Sequence, residues 1–166
     1  MLRKTIVAVV LVALGLAGLA LARGAAAARQ ETVFDRVTAE DVQAVLKDLS
    51  LESKKSLTRS GDSLLQIDFG QFSAWLIFYG CDSGPDCTDL TFYTYFDTKG
   101  ATPLARVNRW NLESRFSRAY LDEDGFPTIE TDLDLAGGVT RDALRTWIDG
   151  YRESVSDFAA FLAPQR

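Results

Sequence analysis

Two cysteines, Cys81 and Cys87, and a string of carboxylates, Asp122, Glu123, Asp124, Glu130, Asp132 and Asp134, are the residues of this 166-residue chain best equipped for chemistry. No histidine accompanies them. That absence removes Ser-His-Asp hydrolysis, Cys-His nucleophilic catalysis, His-ligated zinc or haem, and an imidazole switch near neutral pH. The cysteines bracket Asp82-Ser83-Gly84-Pro85-Asp86, between the apolar runs Ala74–Tyr79 and Leu90–Phe96. Turn formers at a hairpin tip would bring both sulfurs within disulfide reach, and the spacing is not the C-x-x-C of a redox pair. A bridge closing so short a loop is expected to contribute about 2 kcal/mol. The carboxylates do not match an EF-hand: setting Gly125 at the sixth position puts Tyr120 at the first, where an oxygen ligand is needed. Along the strand Glu130, Asp132 and Asp134 share one face and need only solvent. Acid–base work by Asp122 and Asp124 would require burial to split their pKa values, and a charged turn beside Gly125 promises water. The residues therefore predict no catalytic group, no metal and no cofactor.

The elements that carry these residues follow from periodicity. Thr38 caps a helix with Val42, Val45, Leu46 and Leu49 at helical spacing, and Asp41 sits favourably at its positive end. From Leu51 the period shifts towards two. Ser63–Phe69, Phe72–Tyr79 and Asp89–Phe96 read as strands, and Lys54–Arg59 offers another. Thr102-Pro103 restarts helix, with Thr102 as N-cap and Pro103 in the first turn, running to about Phe116. Its apolar stripe is Leu104, Val107 and Trp110, extended by Leu112 and Phe116. Arg118–Leu121 and Ile129–Leu135 form a hairpin around Asp122-Glu123-Asp124-Gly125, where glycine supplies positive φ. Gly137-Gly138 ends that strand. Thr140 then caps a helix with the stripe Leu144, Trp147, Ile148, Tyr151, Val155, Phe158 and Leu162. The order α-β-β-β-α-β-β-α implies an α+β fold with helices packed on one face of an antiparallel sheet.

Such a sheet would carry aromatic area on both faces, because Phe72, Trp75, Phe78, Tyr79, Phe92, Tyr93, Tyr95 and Phe96 occur in both parities. Unless helices cover both sides, one face is left for a second copy or a partner, with Trp75 and Tyr93 as candidate contacts. Asn108 and Asn111 are mediocre helix formers. With Trp110 between them they are candidates for partner binding, and the amides are equally suited to satisfy a sheet edge or a loop of the same fold.

The N-terminus has the layout of a secretory signal peptide. Arg3-Lys4 precedes an uncharged run from Thr5 to Ala22, and Ala25–Ala28 supplies small residues for cleavage after Ala27 or Ala28. The alternative is an uncleaved anchor. Removing residues 1–28 leaves 15 basic against 23 acidic residues, a net charge of −8 instead of −5. An exported chain this acidic lacks the basic footprint for nucleic acid or for an anionic membrane surface. Export also favours the oxidised cysteine pair.

Asn108-Arg109-Trp110-Asn111, the run Phe116–Gly125, Glu130-Thr131-Asp132-Leu133 and Gly137-Gly138-Val139, followed by the long terminal helix, together resemble the YbjN family of bacterial sensory transduction regulators. The likeness covers roughly residues 38–162, after a signal peptide at 1–28 and a polar leader at 29–37. It implies a fold like that of type III secretion chaperones, small α+β domains that dimerise and hold an extended partner segment, and it implies no established catalysis. The leader and the cysteine loop depart from cytoplasmic family members. The resulting expectation is an exported, periplasmic or secreted, non-enzymatic module that binds a protein partner or a second copy of itself. A small-molecule sensor and a small carboxylate hydrolase are the alternatives.

Overall fold

The computed structural model describes residues 31–82 and 84–163. The expected signal peptide lies outside them. The elements run β1 (Val33–Phe34), α1 (Ala39–Asp48), β2 (Ser53–Leu57), β3 (Ser63–Asp68), β4 (Ser73–Tyr79), β5 (Asp89–Tyr95), α2 (Leu104–Glu113), β6 (Arg118–Leu121), β7 (Pro127–Asp134), β8 (Val139–Thr140) and α3 (Arg141–Leu162). Six strands form one antiparallel sheet in the order β2-β3-β4-β5-β7-β6. The fold is α+β, as the periodicity predicts.

Strand alternation divides the sheet into two unlike faces. Leu65, Ile67, Ala74, Leu76, Phe78, Leu90, Phe92 and Ile129 are completely buried, and they face the helices. α1 contributes Val42, Val45 and Leu46 to the same core, and α3 contributes Leu144, Ile148, Tyr151, Val155 and Phe158. Tyr151 stacks on Phe92 at 4.6 Å with rings 7° apart, and its hydroxyl donates to the Ile129 carbonyl at 3.0 Å and lies within hydrogen-bond distance, 3.1 Å, of the Thr94 hydroxyl. A buried phenol needs such partners, since an unpaired hydroxyl there costs about 1 to 3 kcal/mol.

The caps follow the sequence in two helices and depart from it in the third. Thr38 and Asp41 form a reciprocal capping box on α1, and Thr140 Oγ1 accepts from Ala143 N on α3. At α2 the N-cap is Pro103, not Thr102, and no side chain caps it; the Thr102 hydroxyl donates instead to Thr98 Oγ1 at 3.0 Å. The helix also stops at Glu113 rather than near Phe116, whose φ of 64° is incompatible with helix. Only Val107 and Trp110 of its expected stripe are buried. Leu104, Leu112 and Phe116 are exposed, because a helix of 10 residues beside β6 has one narrow contact line.

Two short strands were not legible in the alternation. β1 pairs with β8, Val33 opposite Thr140 and Phe34 opposite Val139, and Val37 is buried and bridges to Cys87. Val33, Phe34 and Val37, within the expected leader, thus pair with residues of the domain. Gly138 permits the first contact: its φ is 96°, and a Cβ there would come within 2.7 Å of Val33 Cγ1.

Candidate functional site: the open face of the sheet

Among the described residues no helix covers the second face. Its side chains form ladders set by the register, and one crosses all six strands: Lys54, Gln66, Trp75, Tyr93, Glu130 and Arg118, each directly opposite the next. A parallel ladder runs Ser56, Leu64, Ile77, Thr91 and Asp132. Trp75 lies nearly parallel to Tyr93 (5.5 Å, 19°) and to Tyr95 (5.0 Å, 16°), and Tyr95 stacks in turn on Phe126 at 6.0 Å. Four rings are therefore held in one ordered array by intramolecular stacking, so presenting them costs little further side-chain entropy. Within the array Tyr95 stays 44% exposed, and beside it Tyr79 and Tyr120 stay 45% and 38% exposed.

The charged part of the face is equally ordered. Arg118 sits between two carboxylates, with Nη2 2.5 Å from Glu130 Oε1 and Nη1 2.6 Å from Asp132 Oδ2, and Thr91 Oγ1 donates to Asp132 Oδ1 at 2.7 Å. Glu130 keeps only 13% of its side chain exposed, so it is covered and ion-paired rather than simply solvated. Partial burial pushes the phenols of Tyr79, Tyr93 and Tyr120 above the usual tyrosine range, and nearby carboxylates add to the effect at Tyr79 and Tyr120. These groups keep their protons at neutral pH. Among the described residues no group of three or more acidic or cysteine side chains could hold a metal.

The candidates from the sequence fall into separate places. Trp75 and Tyr93 meet at the centre of the open face. Trp110 is 6% exposed, packs edge-on against Phe158 at 5.0 Å and donates from Nε1 to Ser117 Oγ. Asn111 bonds both halves of its amide to one edge residue: Nδ2 donates to the Ala119 carbonyl at 2.9 Å, and Oδ1 accepts from Ala119 N at 2.7 Å. It closes the outer edge of β6. Asn108 is exposed on the same helix. Asp122 Oδ1 accepts from the backbone N–H of Asp124 and of Phe126, which occupies it in shaping the turn.

Cys81 and Cys87 form the expected disulfide, with Cα atoms 4.1 Å apart. Gly80 at its mouth has φ 63°, and a Cβ there would clash with Thr88 Oγ1. Sequence reasoning did not single out Arg36. Its guanidinium holds the loop by bonds to Asp86 Oδ2 (2.9 Å), the Gly80 and Asp86 carbonyls, and Asp82 at 3.3 Å. Nor did it single out Arg118 or Phe126, although Arg118 stands at the alternation position that shares a face with Tyr120.

One solved structure similar to this chain is that of the Yersinia pestis type III secretion chaperone SycH in complex with a stable fragment of YscM2. It is 20% identical, the match covers 73% of this chain and 95% of that one, and the TM-score is 0.47. No curated protein matches. The model of the YbjN family, described as "Putative bacterial sensory transduction regulator", matches residues 38–164. The chain, from its first capped helix to the end of α3, belongs to the YbjN family.

Proposed function

We propose that this protein is an exported, non-catalytic binding module of the bacterial cell envelope, and that the open face of its sheet receives a protein partner. One observation carries the reading: among the described residues the three helices lie on one side, leaving a stacked array of Trp75, Tyr93, Tyr95 and Phe126 uncovered by them on the other. Exposed aromatic area of this kind is enriched at the centres of protein interfaces. The leader sequence supports export, and a disulfide suits an oxidising compartment. Membership of a regulator family is consistent with binding as the working activity.

The test is cross-linking in the native cell. A photoreactive residue at Tyr93 should yield partner adducts and one at Arg145 on α3 should not, with the product recovered outside the cytoplasm, shortened at its N-terminus and free of reduced thiols. Adducts from both positions alike would reject the face, and an intact Met1 on a cytoplasmic protein with free thiols would reject export.

One observation favours a second reading, a small-molecule sensor. Phe116, Thr131, Trp147, Tyr151 and Ser154 line a cavity of about 410 Å³ beside α3, on the helical side rather than on the aromatic sheet face. Trp147 Nε1 is buried there and has no acceptor among the described residues. A rise in melting temperature with a low-molecular-mass ligand, lost in Phe116→Ala, would establish it.

A further inference from the structure

The partner proposed above is characterised by the charge of the surface that would meet it. Strand parity assigns Asp68, Asp89, Glu130, Asp132 and Asp134 to the open face, against only Lys54 and Arg118. Arg118 is fully engaged by Glu130 and Asp132. Other basic side chains are committed on the helical side: Lys55 pairs with Glu40, Arg141 with Asp48 and Arg152 with Asp149, while Arg106 donates to the Phe161 and Ala163 carbonyls. The helical side pairs its bases with acids, whereas the open face carries an excess of carboxylates.

The register sharpens the point. Asp89 stands directly opposite Asp134 on neighbouring strands, and like charges in that position destabilise a sheet. Among the described residues neither has a cation to answer it; Asp89 accepts from Thr88 Oγ1, and Asp134 from Ala136 N. Tyr79 is opposite Asp89 on the other side, so the repelling pair borders the aromatic array. A sequence that keeps such a conflict beside exposed rings loses stability in the isolated domain, and a cation from outside relieves it.

Three classes of occupant are thereby separated. A second copy docked through this face would set five carboxylates against five. Nucleic acid and anionic lipid would be repelled. A polypeptide carrying Lys or Arg among apolar residues fits both features, because long basic side chains lay their methylene stems along aromatic rings and carry their charged heads to carboxylates beyond.

We infer that the open sheet face is a docking surface for a basic protein segment, with Trp75, Tyr93 and Tyr95 taking its apolar and methylene groups and Glu130, Asp132, Asp89 and Asp134 taking its Lys or Arg heads. This rests on the reading that the open face is where a partner binds.

The experiment uses the purified full chain and three fluorescent synthetic peptides of equal length and apolar content: one Lys/Arg-rich, one uncharged, one Asp/Glu-rich. Anisotropy should show the basic peptide binding at least about tenfold more tightly than the uncharged one, with the advantage shrinking as salt rises. Glu130→Gln with Asp132→Asn should remove most of that advantage. Thr91→Lys, at a partly exposed position of the same face, should do likewise in a fold whose integrity near-ultraviolet circular dichroism checks. Equal binding of the basic and uncharged peptides, abolished by Trp75→Ala, would overturn the charge assignment and leave the open-face reading standing. Binding of the basic peptide that neither charge variant weakens would also overturn it, as would binding of none of the three. In-cell cross-linking at Tyr93 judges the parent reading separately.

Discussion

Asn111 places both halves of its amide on the backbone of Ala119, a pairing that neither Asp nor Gln reproduces at that distance. Asp offers two acceptors to a carbonyl that needs a donor, and Gln is one methylene too long. The neighbouring Asn108 is exposed on the same short helix. The two residues, equivalent in the sequence, therefore separate in their energetics. Asn111→Ala should destabilise the protein by about 1 to 2 kcal/mol, since it leaves a part-buried donor and acceptor of β6 without partners. Asn111→Asp should cost at least as much. Asn108→Ala should stay within about 0.5 kcal/mol of the parent, as surface substitutions do. Urea denaturation of the three variants decides the matter, and a loss at Asn108 equal to that at Asn111 would show that the edge pairing is not the cause.

At the scale of elements, the ends of α2 and α3 are tied together by one side chain. The Arg106 guanidinium donates to the Phe161 carbonyl through Nε at 3.1 Å and to the Ala163 carbonyl at 2.8 Å, supplying donors to the last turn of α3, where backbone acceptors lack helical partners. Arg106→Ala should cost about 1 to 2 kcal/mol and should raise hydrogen exchange first near Phe158–Leu162. Exchange that rises uniformly instead would place the tie elsewhere. The cysteine loop is a second tie. Cys87 exchanges backbone bonds with Val37 at 3.0 and 2.9 Å, so Cys81→Ser with Cys87→Ser should lose about 2 kcal/mol of loop-closure entropy while the strands remain paired. What the sequence disclosed at this scale depended on the length of the pattern. Seven-residue strands and the 22-residue α3 carry several turns of their period and were legible, as was the turn at Gly125. β1 and β8 are two residues each and show no period at all, because tertiary pairing alone creates them. Trp75 and Tyr93 were readable as one surface from parity. That Asn111 would serve the edge of β6 needed the geometry of a helix against a strand, which spacing within the helix does not contain.

For the molecule as a whole, the absence of histidine fixes how its stability responds to pH. Hydrogen bonds from Lys55 and Arg141 hold Glu40 and Asp48 below the usual carboxylate range. A depressed pKa contributes stability above the unfolded value near 4, and that contribution is lost as acid protonates the folded form. Burial raises Tyr79, Tyr93, Tyr120 and Tyr151, and this has the opposite sense. Their contribution is complete below the unfolded tyrosine value near 10 and falls as pH rises past it, because the unfolded chain then gives up protons that the folded chain retains. Histidine, the side chain whose ordinary pKa lies between these limits, is absent. The melting temperature should therefore form a plateau from about pH 5 to about pH 9 and decline on both sides. Tyr120→Phe, which removes one raised phenol from the rim of the open face, should make the alkaline decline shallower. Calorimetry across the range tests both statements. A midpoint that moves by many degrees between pH 6 and pH 8 would contradict the plateau. A flat profile would mean that any signal reaching this protein acts through occupancy of its surface, not through neutral-range protonation.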